Sequence, residues 1–399
     1  MSQKENNAKH HREEIEEDVS FCAAELFCTL RNHKSLKMII NKVLSVLSAS
    51  LLISFFSLCK CSFGDRDYKF LFCSKELFNQ QCLRSSNHQE NVTLRLLESN
   101  LIRWSCAEAC EYECMSLITT ERINRNLNIY KYYGHWPFIR YFGLEEPASV
   151  IFSILNGIPH FIYSLKYISR LRIFNFVHRN PMARYRRGEF FMSKWIFLYA
   201  VSAIMAWSMS AIYHSKKTDI STKYDLVFAL GVLVAGLVLV IRKILGRTNI
   251  FVVVSLVCVS GCLYLARAMS IFDGVVSFDS HMTSCIVLFS ITSVLWAYWA
   301  CVGHPQSLLL SSSSFEWPSL RNPRWMCLLC NIWLLLAALL ELFDFPPILG
   351  IFDAHSLWHA ATAPLGIVWY WFWEMVEDEE LLLLEKRVEE HFDDKVKRS

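Results

Sequence analysis

The sequence predicts an all-α membrane protein, a seven-transmembrane helix bundle preceded by a small Cys-containing lumenal N-terminal region. Three observations predict it. Of the 399 residues, 53% are hydrophobic and 14% aromatic, and the mean hydropathy is +0.27. A soluble chain of this length is usually less apolar and splits into two domains. Beyond residue 147 the apolar residues gather into seven runs, each near the ~20 residues that span a bilayer. The basic residues bunch in alternate loops between those runs. With a net charge of +3 and that distribution, nothing points to nucleic-acid binding.

Residues 1–37 are polar and charged and read as an extension upstream of a start at Met38, outside the mature chain. From Met38, MIINKVLSVLSASLLISFFSLCKCS has one early lysine and then an apolar core that stops before GDRD. That is a signal-peptide pattern, assigned to 38–61, with a retained signal anchor as the alternative. Residues 62–146 form a polar region holding Cys73, Cys82, Cys106, Cys110 and Cys114, disulfide candidates for an oxidising compartment. Cys258, Cys262, Cys285, Cys301, Cys327 and Cys330 lie in or beside apolar runs and read as packing residues. Asn91-Val92-Thr93 is a glycosylation sequon, consistent with a lumenal position.

The seven runs are 148–165, 193–213, 224–241, 250–268, 283–302, 326–343 and 356–374, within a membrane domain spanning 147–375. Asn156 and Pro159 in the first are tolerable inside a helix bundle. The loop after that run carries Lys166, Arg170, Arg172, Arg179, Arg184, Arg186, Arg187 and Lys194, which places it in the cytosol. Alternation then gives the cytosolic loops and tail eighteen Lys or Arg against four in the lumenal loops, Arg267 included. The N-terminal region is therefore expected in the lumen and the 376–399 tail in the cytosol. Trp136, Trp195, Trp371 and Trp373 near run ends read as interfacial anchors. The terminal Lys395-Val396-Lys397-Arg398-Ser399 reads either as a dilysine retrieval signal, which COPI coats recognise, or as a solvated basic tail.

With this topology Ser210 and His214, Asp225, and His355 and His359 all fall at the lumenal face. Both histidine strings, SMSAIYH and DAHSLWH, have i, i+4 spacing, so each pair shares one face of a helix. Ionisable residues at membrane depth are costly and usually face a cavity or a partner. Spacing alone leaves two readings, a metal site and a hydrogen-bonded polar cluster. In the first, three neutral imidazoles suit Zn²⁺ and leave one position open. Zinc lowers the pKa of a bound water to about 7, and a neighbouring carboxylate such as Asp225 can carry its proton to a leaving alkoxide. Ser210, one turn below His214, can hydrogen-bond the water or a substrate oxygen. Asp344 in LLELFDFPP is a candidate to orient a ligand histidine. Glu341 reads as an ordinary interfacial carboxylate, and Asp353 as the cap of the last span.

At these strings the chain resembles the Per1-like family, from Gly64-Asp65-Arg66 to about Glu377. The segments that carry the resemblance are WSCAEACEYECM (104–115), YYGHWPFIRYFGLEEPASVIFSILN (132–156), SMSAIYHSKKTDISTKYD (208–225), LLELFDFPP (339–347) and DAHSLWHAATAPL (353–365). The family belongs to a seven-span hydrolase superfamily that includes alkaline ceramidases and adiponectin receptors, with the shared pattern S-x3-H, Asp, H-x3-H. The resemblance implies that His214, His355 and His359 bind zinc, with Asp225 and Ser210 beside the zinc-bound water. It implies an enzyme of GPI-anchor lipid remodelling in the Golgi and endoplasmic reticulum, of phospholipase A2 type. The enzyme would remove the sn-2 acyl chain of the phosphatidylinositol on GPI-anchored proteins. One departure stands out. The family has three cysteines after G-D-R, and here the middle position is Leu77, which leaves five family-like cysteines and one without a partner unless Cys61 supplies it. Two rival readings remain at this stage: a seven-span lipid-binding receptor or scaffold that cuts no bond, and a protein of divalent-cation homeostasis.

Overall fold

The computed structural model describes residues 62–83, 102–177, 190–245, 250–275, 277–302 and 322–398, all within one unit that spans Ser57–Ser399. The expected extension, the signal peptide, Cys61 and the Asn91 sequon lie outside the described residues.

Two short helices build the N-terminal region. Helix α1, Tyr68–Phe78, starts at Asp67, whose side chain accepts from the Lys69 amide at 2.9 Å. Helix α2, Cys106–Asn124, starts with a capping box that the S-x-x-E string encodes: Ser105 Oγ accepts from Glu108 N, and Glu108 Oε2 accepts from Ser105 N. Each satisfies an amide that a helix start leaves open. Phe70, Cys114, Ile118 and Tyr132 form the buried core between them. Disulfides Cys73–Cys114 and Cys82–Cys106 join the helices in antiparallel register, and Cys110 is the buried free thiol, its Sγ 3.7 Å from Cys82 Sγ.

Cys110 Sγ also lies 3.8 Å from Gln81 Oε1, one helical turn beyond Leu77, the position where the resemblance expects a cysteine. Leu77→Cys is expected to form a third bridge with Cys110, read as the loss of one free thiol in the N-terminal region by mass spectrometry. The gain in stability should fall at the low end of the ~2–4 kcal/mol usual for a disulfide, because the flanking bridges already constrain the unfolded chain.

Seven long helices follow: α3 (Pro147–Val177), α4 (Phe190–Ser215), α5 (Asp219–Leu245), α6 (Ile250–Phe272), α7 (Phe278–Val302), α8 (Pro323–Phe343) and α9 (Ala354–Arg398). The first six are each long and apolar enough to cross a membrane, and the chain is an all-helical multi-pass membrane protein. The expected seventh run, 356–374, lies in the first half of α9. It is less apolar because it carries His359 and five Trp or Tyr residues between Trp358 and Trp373. The helix continues without a break into the expected tail.

Helices α3, α4, α5, α7, α8 and α9 pack in a closed ring, and α6 lies against α5. One half of the ring is filled by Ile196, Trp296, Trp299, Met326, Phe372 and Trp373, among others. Trp373 is fully buried there, so it is a core residue rather than the interfacial anchor its position near a run end indicated. Its ring stacks edge-on against Trp296 and Trp369, a larger gain than a headgroup contact offers. At this end Arg170 pairs with Glu377 at 2.9 Å, and Ser193 Oγ donates to the same carboxylate at 2.6 Å.

The opposite end of the ring is tied to the N-terminal region. Lys216 Nζ binds Glu108 at 2.9 Å and Lys131 Nζ binds Asp344 at 2.7 Å. The Ile139 amide donates to the Gly350 carbonyl at 2.9 Å. Gly350 sits at φ +70, and a Cβ there would come within 2.7 Å of Ile139, so the close approach needs glycine.

Candidate metal centre

The last two turns of α4 carry Ser210 and His214 on one face, and the first turns of α9 carry His355 and His359. Asp353 sets the start of α9: its Oδ1 accepts from the Ser356 amide at 2.8 Å, capping the helix. His355 thus lies in the first turn and His359 one turn deeper. Asn156 on α3 pins that depth, donating from Nδ2 to the His359 carbonyl at 2.8 Å and to the Phe152 carbonyl at 2.8 Å.

The three imidazoles converge. His355 Nε2 lies 3.3 Å from His214 Nε2 and 2.9 Å from His359 Nε2, and one ligand nitrogen from each lies within 4.8 Å of the others. His214 and His359 are 3% and 1% exposed, and His355 is half-buried. Imidazole lone pairs come this close only with a proton or a cation among them. The far nitrogens fix which atoms face inward. His214 Nδ1 is 2.5 Å from Glu146 Oε2, and His355 Nδ1 is 2.7 Å from Glu341 Oε2. Each carboxylate takes an Nδ1–H and leaves the Nε2 lone pair for a ligand. Three neutral nitrogen donors with carboxylate backing fit zinc.

Glu146 is held from both sides. Its amide donates to the His214 carbonyl at 3.0 Å, and the buried Lys217 ammonium binds its other oxygen. Burial at 5% exposure pushes the carboxyl up, but Lys217 and His214 outweigh it and hold it well below the ordinary carboxylate range. Lys217 is correspondingly pulled upward against its own burial by Glu146, so the pair is ionised.

Sequence reasoning passed over Glu146 and set Glu341 aside. Glu146 immediately precedes the proline that opens α3, where an acidic residue reads as a helix-start charge. Its partner is 68 residues away. Asp344, the candidate for orienting a histidine, is instead held by Lys131 Nζ at 2.7 Å and Trp136 Nε1 at 3.1 Å. It stands past the end of α8 in left-handed conformation, φ 40. Glu341, within the last turn of the same helix, is the residue that reaches His355.

Asp225 lies in the second turn of α5, half-buried. It makes no hydrogen bond among the described residues. Ser210 is buried one turn below His214 and shares a hydrogen bond with Ser153 Oγ at 3.0 Å. Of the five cysteines, four are bridged as described above, and Cys110 is not.

A model described as the Per1-like family matches residues 96–378. Among curated relatives, Post-GPI attachment to proteins factor 3 of Drosophila melanogaster is 29% identical over 319 residues, 78% of this chain and 88% of that protein. The human GPI-specific phospholipase A2-like PGAP3 is 25% identical over 334 residues, covering 83% and 93%. The Protein PER1 homolog of Schizosaccharomyces pombe is 27% identical over 328 residues, covering 80% and 88%. No solved structure matches.

Proposed function

The chain belongs to the Per1-like family, and from that membership and the three-histidine cluster we propose that it is a zinc-dependent acyl-ester hydrolase of GPI-anchor lipid remodelling. Its substrate is the phosphatidylinositol moiety of GPI-anchored proteins, cut at the sn-2 acyl ester to give a lysolipid and a fatty acid. The observation that carries the reading is the convergence of His214, His355 and His359 with Glu146 and Glu341 behind two of them.

His214, His355 and His359 would hold the zinc. Bound there, zinc supplies Lewis acidity and makes a water acidic enough to act as nucleophile near neutral pH. The protein's own groups do the rest. Glu146 and Glu341 fix the imidazole orientations. Asp225 accepts the proton of the attacking water and returns it to the leaving alkoxide. Ser210, oriented by Ser153, offers a hydroxyl to that water or to the substrate carbonyl.

The basic loops support placing this end of the ring, with its disulfide-bonded region, in the lumen of the Golgi and endoplasmic reticulum. There the GPI lipid is presented in the adjoining leaflet. The same reading takes Asn91 as glycosylated and Lys395 and Lys397 as the cytosolic COPI signal. The aromatic core filling the other half of the ring disfavours a cation route through the bundle, and the anchored histidines favour chemistry over headgroup binding alone.

The test is zinc analysis of purified protein beside an assay for lyso-GPI product. One zinc per chain and a lyso product are expected. Asp225→Asn should keep the zinc and lower kcat by about a hundred-fold or more, the usual worth of a positioned acid-base group. Full activity of metal-free protein would remove zinc from the mechanism, and an active Asp225→Asn would remove Asp225.

A further inference from the structure

We propose that Arg267 and His281, on the helices α6 and α7 that both pack on α5, form a binding subsite for the phosphate diester of the lipid substrate. The assignment rests on the hydrolase reading above for the identity of the lipid, and on independent observations for the site itself.

Arg267 lies within the apolar helix α6, where a guanidinium is expensive unless something compensates it. Its Nη2 donates to the Ser280 carbonyl at 2.9 Å, Ser280 Oγ at 2.7 Å and Ser284 Oγ at 3.2 Å, all on α7. These partners are neutral. Among the described residues no carboxylate pairs with Arg267, and its Nε is buried without a hydrogen-bond partner. On α7, His281 adjoins Ser280 and is 2% exposed. Its Nε2 is 3.3 Å from Cys285 Sγ, and its Nδ1 is buried without a partner. With the Cys285 thiol donating to Nε2, the ring proton sits on Nδ1. In that tautomer two buried, unanswered N–H donors, one of them cationic, stand on neighbouring helices. Buried polar groups are nearly always paired, and such orphans indicate a missing partner. Two donors and one positive charge call for an anion with acceptor oxygens, and a phosphate diester supplies both.

The depth fits. Ala268 and Ile271 pack on Val227 of α5, two residues from Asp225, so Arg267 and Asp225 lie in adjoining layers. Helix α5 packs against both α6 and α7, and Arg267 reaches α7 at Ser280, the neighbour of His281. The two orphan donors thus lie on the pair of helices that flank the Asp225-bearing helix. A diacylglycerol phosphodiester lying across these helices has its acyl ester at one end and its phosphate at the other.

The experiment uses the full-length protein in detergent micelles and compares hydrolysis of diacyl phosphatidylinositol with that of diacylglycerol bearing the same chains. Arg267→Gln is expected to raise KM for phosphatidylinositol about ten-fold, the worth of one charge-assisted hydrogen bond. Its kcat for that lipid, and both constants for diacylglycerol, should stay within about two-fold. Arg267→Lys should recover part of the KM. Equal effects on both lipids, or none on either, would overturn the subsite.

If the wild type cleaves neither lipid, the hydrolase reading fails by itself, and the subsite is decided by the thermal shift on adding phosphatidylinositol. A shift that Arg267→Gln abolishes supports it, and no shift in the wild type overturns it. An Arg267-dependent shift as large with inorganic phosphate as with the lipid would assign the donors to free phosphate and overturn the lipid assignment.

Discussion

Replacing His359 by Ala should abolish lyso-GPI formation and empty the zinc site while the protein still folds. Of the three candidate ligands it is the cleanest to remove. Its Nδ1 has no partner among the described residues, so truncation strands no carboxylate. The contacts that set its place in α9 are made through its carbonyl, which accepts from Asn156 and Thr362 and survives the substitution. His214→Ala is a harsher change, because it leaves Glu146 and Lys217 without the imidazole between them and the cluster. For His359→Ala, zinc should fall from one per chain to near zero and hydrolysis by at least about a thousand-fold, since two imidazoles do not make a stable tetrahedral site and the nucleophile depends on the metal. Unchanged Cys73–Cys114 and Cys82–Cys106 bridges, read by peptide mapping, would show that the fold is kept. Retained zinc with lost activity would mean that His359 acts on substrate rather than on metal.

Much of the architecture was legible because the physical constraints on it are one-dimensional. Apolar run length fixes where helices cross, and six of the seven runs are helices apolar enough to do so. The seventh is harder to see because Trp, Tyr and His lower its mean hydropathy without opposing burial, and His359, Tyr370 and Trp373 are buried inside the bundle while Trp371 is exposed. The i, i+4 pairs Ser210–His214 and His355–His359 were legible because both members of each sit on one helix. Their supporting shell was not. Glu146 meets His214 across 68 positions and Asn156 meets His359 across 203, and no local pattern distinguishes Glu341 from Asp344 three residues on. Helix geometry decides between those two: Glu341 is still on the face of α8 turned to α9, whereas Asp344 lies beyond the chain's left-handed exit and falls to Lys131. The two unanswered donors on α6 and α7 were equally hidden, since an arginine in an apolar run reads first as a boundary residue.

Glu146→Gln should separate two roles that one carboxylate now combines. Glu146 takes the Nδ1–H of His214 and neutralises the buried ammonium of Lys217. Glutamine keeps the shape and an acceptor oxygen but not the charge. Lys217 is then buried beside a neutral group, and breaking one side of a buried ion pair typically costs about 3–5 kcal/mol. The weaker acceptor also leaves His214 a poorer ligand, an effect of about 10–100-fold in metal affinity at comparable sites. Adding Lys217→Met distinguishes the two. With the ammonium gone, the desolvation penalty disappears, and replacing a buried pair by uncharged groups is often neutral for stability. The double variant should therefore recover most of the lost thermal stability while its zinc affinity stays low. Recovery of both together would make Glu146 a purely structural counter-ion. Loss of affinity that persists after stability returns would mark it as the residue that orients His214 through its Nδ1, which is the role its 2.5 Å contact describes.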